Sequence, residues 1–215
     1  MRLNRTNFGM IPAALGLVLA LSVVVSGSRA QQMGDMPYDL HFIDMMIMHH
    51  QEGIEMAQMA QTKTKNAKVK AFATKTAADQ QKDIAELQAH RNHWYAGKPP
   101  MDPAMMHSMM QTMHPGMHMD MEDTRRKLIA ANGTAFDRLF LDTMIHHHQM
   151  AVGMAKDATM KAEHAEMKEF ARKAMVKQTA EIADMNRLKG VRTTSKTKPK
   201  PKPKPKTTTT HKHGR

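Results

Sequence analysis

Apolar and polar positions along the chain alternate with a helical period in four runs. In residues 37–62, Phe42, Met46, His49, His50, Gly53 and Ala57 fall within about 60° of one line at 100° per residue, with Asp44, Met48, Gln51 and Glu55 on the far side. Lys63-Thr64-Lys65-Asn66 breaks that run. In residues 67–95, Val69, Phe72, Ala73, Thr76, Gln80, Ile84 and Leu87 supply a second inward stripe. Pro37 suits a first helical turn, and Gly97 followed by Pro99-Pro100 is a stop. Corresponding runs follow at 135–160 and 165–188, with Thr134 and Asp137 as a capping-box-like start and Gly190 as a stop. No segment alternates with the period of a strand. Four helices with one apolar stripe each bury those stripes most simply as an all-α four-helix bundle made of two helical hairpins.

The two hairpins are copies. Phe42-Ile43-Asp44-Met45-Met46-Ile47-Met48-His49-His50-Gln51 recurs as Phe140-Leu141-Asp142-Thr143-Met144-Ile145-His146-His147-His148-Gln149, displaced by 98 residues. The offset persists without a gap: Asp39 pairs with Asp137, Met56 with Met154, Phe72 with Phe170, Gln80 with Gln178 and Ile84 with Ile182. Hairpin 37–95, linker 96–132 and hairpin 133–189 therefore make one duplicated domain within 31–189.

The repeated stretch carries chemistry as well as packing. Each adjacent histidine pair straddles the face that must be buried. Met46 lies one turn before His50 and Met56 two turns after His49; His147, His148, Met144 and Met154 repeat the arrangement. Imidazole nitrogen with thioether sulfur suits copper, Cu(I) above all and also Cu(II), or silver or another soft transition metal. The competing account is structural: a core histidine held by hydrogen bonds, and methionine as core filling. Gln80 and Gln178, inward on the following helices, are placed to fix an imidazole tautomer under either account.

Composition sharpens this reading. The chain has 25 methionines, 14 histidines and no cysteine. Its net charge of +12 would suggest a nucleic-acid binder, but the excess sits in the two ends and leaves the helical part near neutral. Nucleic acid is therefore not an expected partner. Residues 1–30 read as a secretory signal: Arg2 and Arg5, an apolar run from Met10 to Val25, and Ser28-Arg29-Ala30 before Gln31. The alternative is an uncleaved membrane anchor. Export to the periplasm or cell envelope fits the missing thiols, because methionine is a sulfur ligand that cannot form disulfides. Residues 190–215 form a low-complexity tail whose alternating Lys-Pro repeat, Lys198 to Lys206, is extended and self-repelling. It suits contact with an anionic membrane or cell-wall surface, or serves as a solubilising tail.

Between the hairpins, Met101, Met105, Met109, Met113, Met117 and Met121 recur every four residues, with Met119, His114 and His118 among them. Asp102-Pro103 starts a helix and His114-Pro115-Gly116 stops it, predicting a short helix over 103–113. The segment has almost no Leu, Ile, Val or Phe, which favours further soft-metal binding over an apolar lid.

The duplicated Phe-x-Asp-x-Met-Ile-x-His-His-Gln pattern, with Met56 and Met154 downstream, resembles the bacterial domain-of-unknown-function family 305 over roughly residues 37–189. The resemblance implies a ferritin-like four-helix bundle and, for some exported members, copper binding and copper resistance. By position it implies Met46, His49, His50 and Met56, and Met144, His147, His148 and Met154, as metal residues. The expected function is an exported copper chaperone, buffer or sequestering protein, with a copper exporter or metallochaperone as the expected partner. Two other classes stand beside it. A dimetal oxidase needs several inward carboxylates and a Glu-x-x-His spacing. Neither histidine pair has a Glu three residues before it, and Asp44 and Asp142 project away, so no catalytic constellation is apparent. A metal-free interaction scaffold is the third.

Overall fold

The computed structural model of the protein describes residues 36–113 and 119–190, which contain helices and no strand. The expected signal segment, His114, Met117, His118 and the Lys-Pro tail lie outside the described residues. The helices are α1 (Tyr38–Lys63), α2 (Ala67–Trp94), α3 (Pro103–Met113), α4 (Met121–Ala130), α5 (Gly133–Lys161) and α6 (Ala165–Gly190). Helix α1 packs on α2, α5 on α6, and the two hairpins meet through α1 and α5, with α4 laid on α5.

Local chemistry explains most boundaries. At the α1–α2 turn, Asn66 Oδ1 accepts from the backbone N–H of Lys68 at 3.0 Å, and Asn66 N–H donates to Thr64 Oγ1 at 3.0 Å. Asp102 starts α3 by accepting from Ala104 N–H and Met105 N–H at 2.9 and 3.1 Å. The start of α5 differs from the Thr134 expectation. The helix begins at Gly133, whose φ of +57° lies in the left-handed region, and Asn132 makes no side-chain cap bond. A glycine takes that conformation without a Cβ penalty, so the chain turns there before Thr134 is reached.

The linker also holds a helix the periodicity did not announce. In α4 only Leu128 is buried, so there is no stripe to read. Asp120 caps it, accepting from Asp123 N–H at 2.9 Å. Its C-terminus is held by Lys63, whose Nζ donates to the carbonyls of Leu128 (2.9 Å) and Ile129 and sits 5.1 Å from the Phe136 ring centroid.

The inward stripes form the core. Met56, Phe72, Leu128, Phe136, Phe140, Met144 and Met185 cluster together, and Phe42 meets Phe170 edge-on at 6.2 Å. Each such fully buried side chain contributes roughly 1.5–3 kcal/mol of transfer free energy. One polar staple closes the far end. Buried Asp39, in the first turn of α1, accepts from the backbone N–H groups of Glu163 and His164, both at 2.8 Å, and pairs with His164 Nδ1 at 2.6 Å. Trp94 stacks on that imidazole at 3.9 Å.

Candidate metal centre

Helices α1 and α5 bring both histidine pairs into the interior where the hairpins meet. His49, His50, His147 and His148 are at most 1 % exposed, as are Met46 and Met144 one helical turn before them. The His49 and His147 rings stack, with centroids 3.6 Å apart and planes inclined by 20°. No nitrogen of either ring makes a hydrogen bond of ordinary geometry, although the backbone of each residue lies close enough to the other's ring to oppose the effect of burial weakly. Burial, reinforced by the neighbouring imidazoles, pushes both rings well below the usual histidine range. They are therefore neutral, with lone pairs free, at neutral pH.

The outer histidines are held differently. His50 Nε2 lies 3.3 Å from Asp83 Oδ2, and His148 Nε2 lies 2.9 Å from Glu181 Oε2. Both pairs span 33 residues, so the bond recurs at the repeat offset. Lys177 pairs with Asp83, and Lys75 Nζ reaches Glu181 Oε1 at 3.5 Å, so each carboxylate is also tied to the opposite hairpin. Burial pushes the Asp83 carboxyl up, but the bonds to His50 and Lys177 outweigh it and leave it below the usual carboxylate range. Burial lowers the His50 imidazole, and Asp83 only partly offsets that. Gln80 and Gln178, expected to hold the imidazoles, are buried nearby, but their amide atoms bond to no protein group. The tautomer partners are instead the carboxylates one turn further along α2 and α6. The signal for them was present: the offset that pairs the histidines also pairs Asp83 with Glu181.

Gly53 creates room beside this cluster. A methyl group there would lie 2.5 Å from Gln80 Oε1, 2.8 Å from Gln80 Nε2 and 2.9 Å from His147 Cε1.

Met56 and Met154 are buried, each seven residues from the inner histidine of its own helix, about 10 Å along the helix axis, and Met56 lies in the same core cluster as Met144. Met56 also edges a cleft of about 330 Å³ under α4, with Glu52, Glu55, Met59, Met121, Glu122 and Arg125. In the linker, Met101 is buried through its anchorage: its N–H donates to Asp44 Oδ2 at 3.2 Å, and Arg91 pairs with the same carboxylate at 2.5 Å. Met105, Met109, Met119 and Met121 are half-buried, and the side chain of Met113 lies outside the described residues. Asp142 points to solvent and pairs with Lys189.

The donor set fits a soft ion, but the ring geometry sets a condition. Lone pairs of an imidazole lie in the ring plane, so two stacked rings cannot aim at one ion until at least one rotates. Accordingly, among the described residues no three His, Asp or Glu side chains surround a common point.

Residues 39–189 match the family model described as Domain of unknown function (DUF305). The chain belongs to the DUF305 family. Among solved structures, a DUF305 fragment from Deinococcus radiodurans superposes with a TM-score of 0.63 at 26 % identity, covering 72 % of this chain and 97 % of that one. CopM in its Cu(II)-bound form gives a TM-score of 0.57 at 37 % identity, covering 70 % and 94 %. CopM has also been solved with silver, where the TM-score is 0.56 at 32 % identity over 71 % and 95 %. Among curated proteins none matches the chain. The DUF305 match spans both hairpins and the linker, so both histidine pairs fall inside it. The family is described as one of unknown function, and neither structural neighbour is described as an enzyme.

Proposed function

We propose that the protein binds copper, with silver as a close mimic, at the interior where α1 meets α5, and acts as an exported copper chaperone, buffer or sequestering protein. In this reading the four long helices form a ferritin-like four-helix bundle whose two repeats each contribute one methionine and two histidines. The observation that carries it is the stacked pair His49 and His147, buried with all four ring nitrogens unpaired. Leaving a buried polar atom unsatisfied costs about 1–3 kcal/mol, and a soft ion bound between the repeats would recover that cost. Met46 and Met144, on the same helical faces, would complete a nitrogen and thioether set suited to Cu(I) or Ag(I). The copper and silver complexes of CopM support the choice of metal. The linker methionines would supply a second, softer site, and a copper exporter or metallochaperone would exchange metal with the protein.

Asp83 and Glu181 bring carboxylates close to the outer histidines, as a dinuclear oxidase would require, but each is already engaged by a lysine. Metal analysis of untagged protein separates the readings: copper or silver supports this one, iron or manganese the oxidase, and no metal a scaffold. The direct test is a Cu(I) titration of the full chain against a competing chelator, with His49→Gln/His147→Gln as comparison. Loss of the tighter binding component is expected, and an unchanged isotherm would refute the site. Export predicts an intact mass beginning near Gln31 in an envelope fraction. No helix among the described residues is long and apolar enough to cross a membrane.

A further inference from the structure

We propose that Asp83 and Glu181 are positioning residues that fix which nitrogen of His50 and His148 faces the metal: Nε2–H is donated outward to the carboxylate, and the Nδ1 lone pair is presented inward as the donor atom. This rests on the soft-metal reading above, and it names donor atoms and outer partners that the reading leaves open.

The argument is one of hydrogen-bond inventory. An ionised carboxylate only accepts, so the imidazole nitrogen facing it carries the proton. Asp83 receives His50 and Lys177, and Glu181 receives His148 and Lys75, so each carboxylate faces two donors. A neutral imidazole with its proton on Nε2 has its lone pair on Nδ1. In both rings that Nδ1 is buried and has no hydrogen-bond partner in the protein. A purely structural buried histidine would be expected to use both nitrogens; these two use one each, and the same one in both repeats. The ring centroids of His50 and His148 lie 6.1 and 6.2 Å from those of His49 and His147, their chain neighbours. The four rings are thus linked in a row through the His49–His147 stack, with a carboxylate on Nε2 of the outer ring at each end.

The lysines give the arrangement a further property. Asp83 on α2 is held by Lys177 on α6, and Glu181 on α6 is reached at 3.5 Å by Lys75 on α2, an exposed lysine that also pairs with Asp79 at 2.6 Å. The carboxylates are therefore linked across the hairpin interface as well as bonded to the outer rings, whereas the inner rings have no carboxylate partner.

The test uses the full chain, labelled at the histidine nitrogens. Without metal, nitrogen chemical shifts should assign the Nε2–H tautomer to His50 and His148. With Ag(I), nitrogen–silver scalar coupling should appear at Nδ1 of those two rings. In Asp83→Ala/Glu181→Ala the tautomers should become mixed and Ag(I) affinity should fall about 10- to 100-fold, as for other partners of metal-bound histidines. Restoring an acceptor as Asp83→Glu/Glu181→Asp should recover part of that loss. An Nδ1–H tautomer in the metal-free protein, coupling at Nε2, or unchanged affinity in the alanine variant would each overturn the proposal while leaving soft-metal binding intact. Should the wild-type chain bind no Ag(I) or Cu(I), both the proposal and the reading beneath it fall.

Discussion

Replacing Gly53 with alanine sets two effects of opposite sign against each other. In an unobstructed helix interior, glycine to alanine gains about 1 kcal/mol, because alanine loses less backbone freedom on folding. Here the new methyl group would stand 2.5 and 2.8 Å from the Gln80 amide and 2.9 Å from the His147 ring, inside any ordinary contact distance. The glutamine amide is the far end of a flexible side chain and can yield. The imidazole is stacked on His49 in a closed interior and can yield only by disturbing that stack. Overpacking of this kind costs about 1–3 kcal/mol. The net expectation is a loss of about 1 kcal/mol, lowering Tm by about 2–4 °C for a domain of this size. Chemical denaturation of metal-free protein under chelator measures it. The control is the equivalent position in the other repeat, Ala151, which is 1 % exposed and already carries a methyl group. Ala151→Gly should also destabilise, by about 1–2 kcal/mol, through helix propensity and the lost methyl contact. Opposite substitutions at equivalent positions should thus move stability in the same direction. Stabilisation of Gly53→Ala by the ordinary 1 kcal/mol would show that Gln80 and His147 do not close over α1, and would refute the packing on which the centre depends.

Asp39→Ala removes a buried acceptor of two backbone N–H groups and His164; it should cost about 3 kcal/mol in denaturant titrations and release Trp94, the single tryptophan, whose fluorescence reports the change. Glu52 is pushed up to about 7, first by burial and then by Glu55, from an ordinary 4.5. A carboxyl raised in this way favours the fold while protonated, so stability drains away as pH rises between those values. Glu52→Gln should match the wild type near pH 4 and exceed it by about 1–2 kcal/mol at pH 8, after allowance for solvent screening, and an equal difference at both pH values would show that the carboxyl is unperturbed. Met105→Leu/Met109→Leu/Met113→Leu keeps volume while removing sulfur; silver stoichiometry by mass spectrometry should fall with Tm nearly constant, and the reverse pattern would make these methionines packing residues.

Much of this architecture could be read before the fold was known, because burial writes itself into periodicity. The stripe Val69, Phe72, Ala73, Thr76, Gln80, Ile84 and Leu87 coincides with the buried set of α2, and Asn66, Gly97 and the Asp102-Pro103 pair marked real turns. Helix α4 escaped notice because it buries one residue and owes its ends to a cap and to Lys63 rather than to a stripe. The histidines were found because they repeat. Their carboxylate partners were not, because on a helical projection Asp83 and Glu181 resemble any solvated acid beside a buried face. The repeat offset pairs the two acids, and tertiary packing shows that they close over imidazoles. Gln80 and Gln178 were correctly placed inward, but proximity in sequence does not say which side chain wins the ring nitrogen.

His49 and His147 are the same position of two repeats, so their stack marks a local symmetry axis on which a surface meets its own counterpart. Such a surface is self-complementary, as in a symmetric dimer. A lone hairpin would present the means to pair with another like it, Phe42 of one copy meeting Phe72 of the next as Phe42 meets Phe170 here. Fusion into one polypeptide makes that pairing independent of concentration. It also lifts a constraint that identical subunits must obey, since a change in one half need no longer appear in the other. The chain has used that freedom: Asp83 faces one imidazole and Glu181 the other, and Gly53 stands where the second repeat has Ala151. The two sides of the seam can therefore be tuned separately.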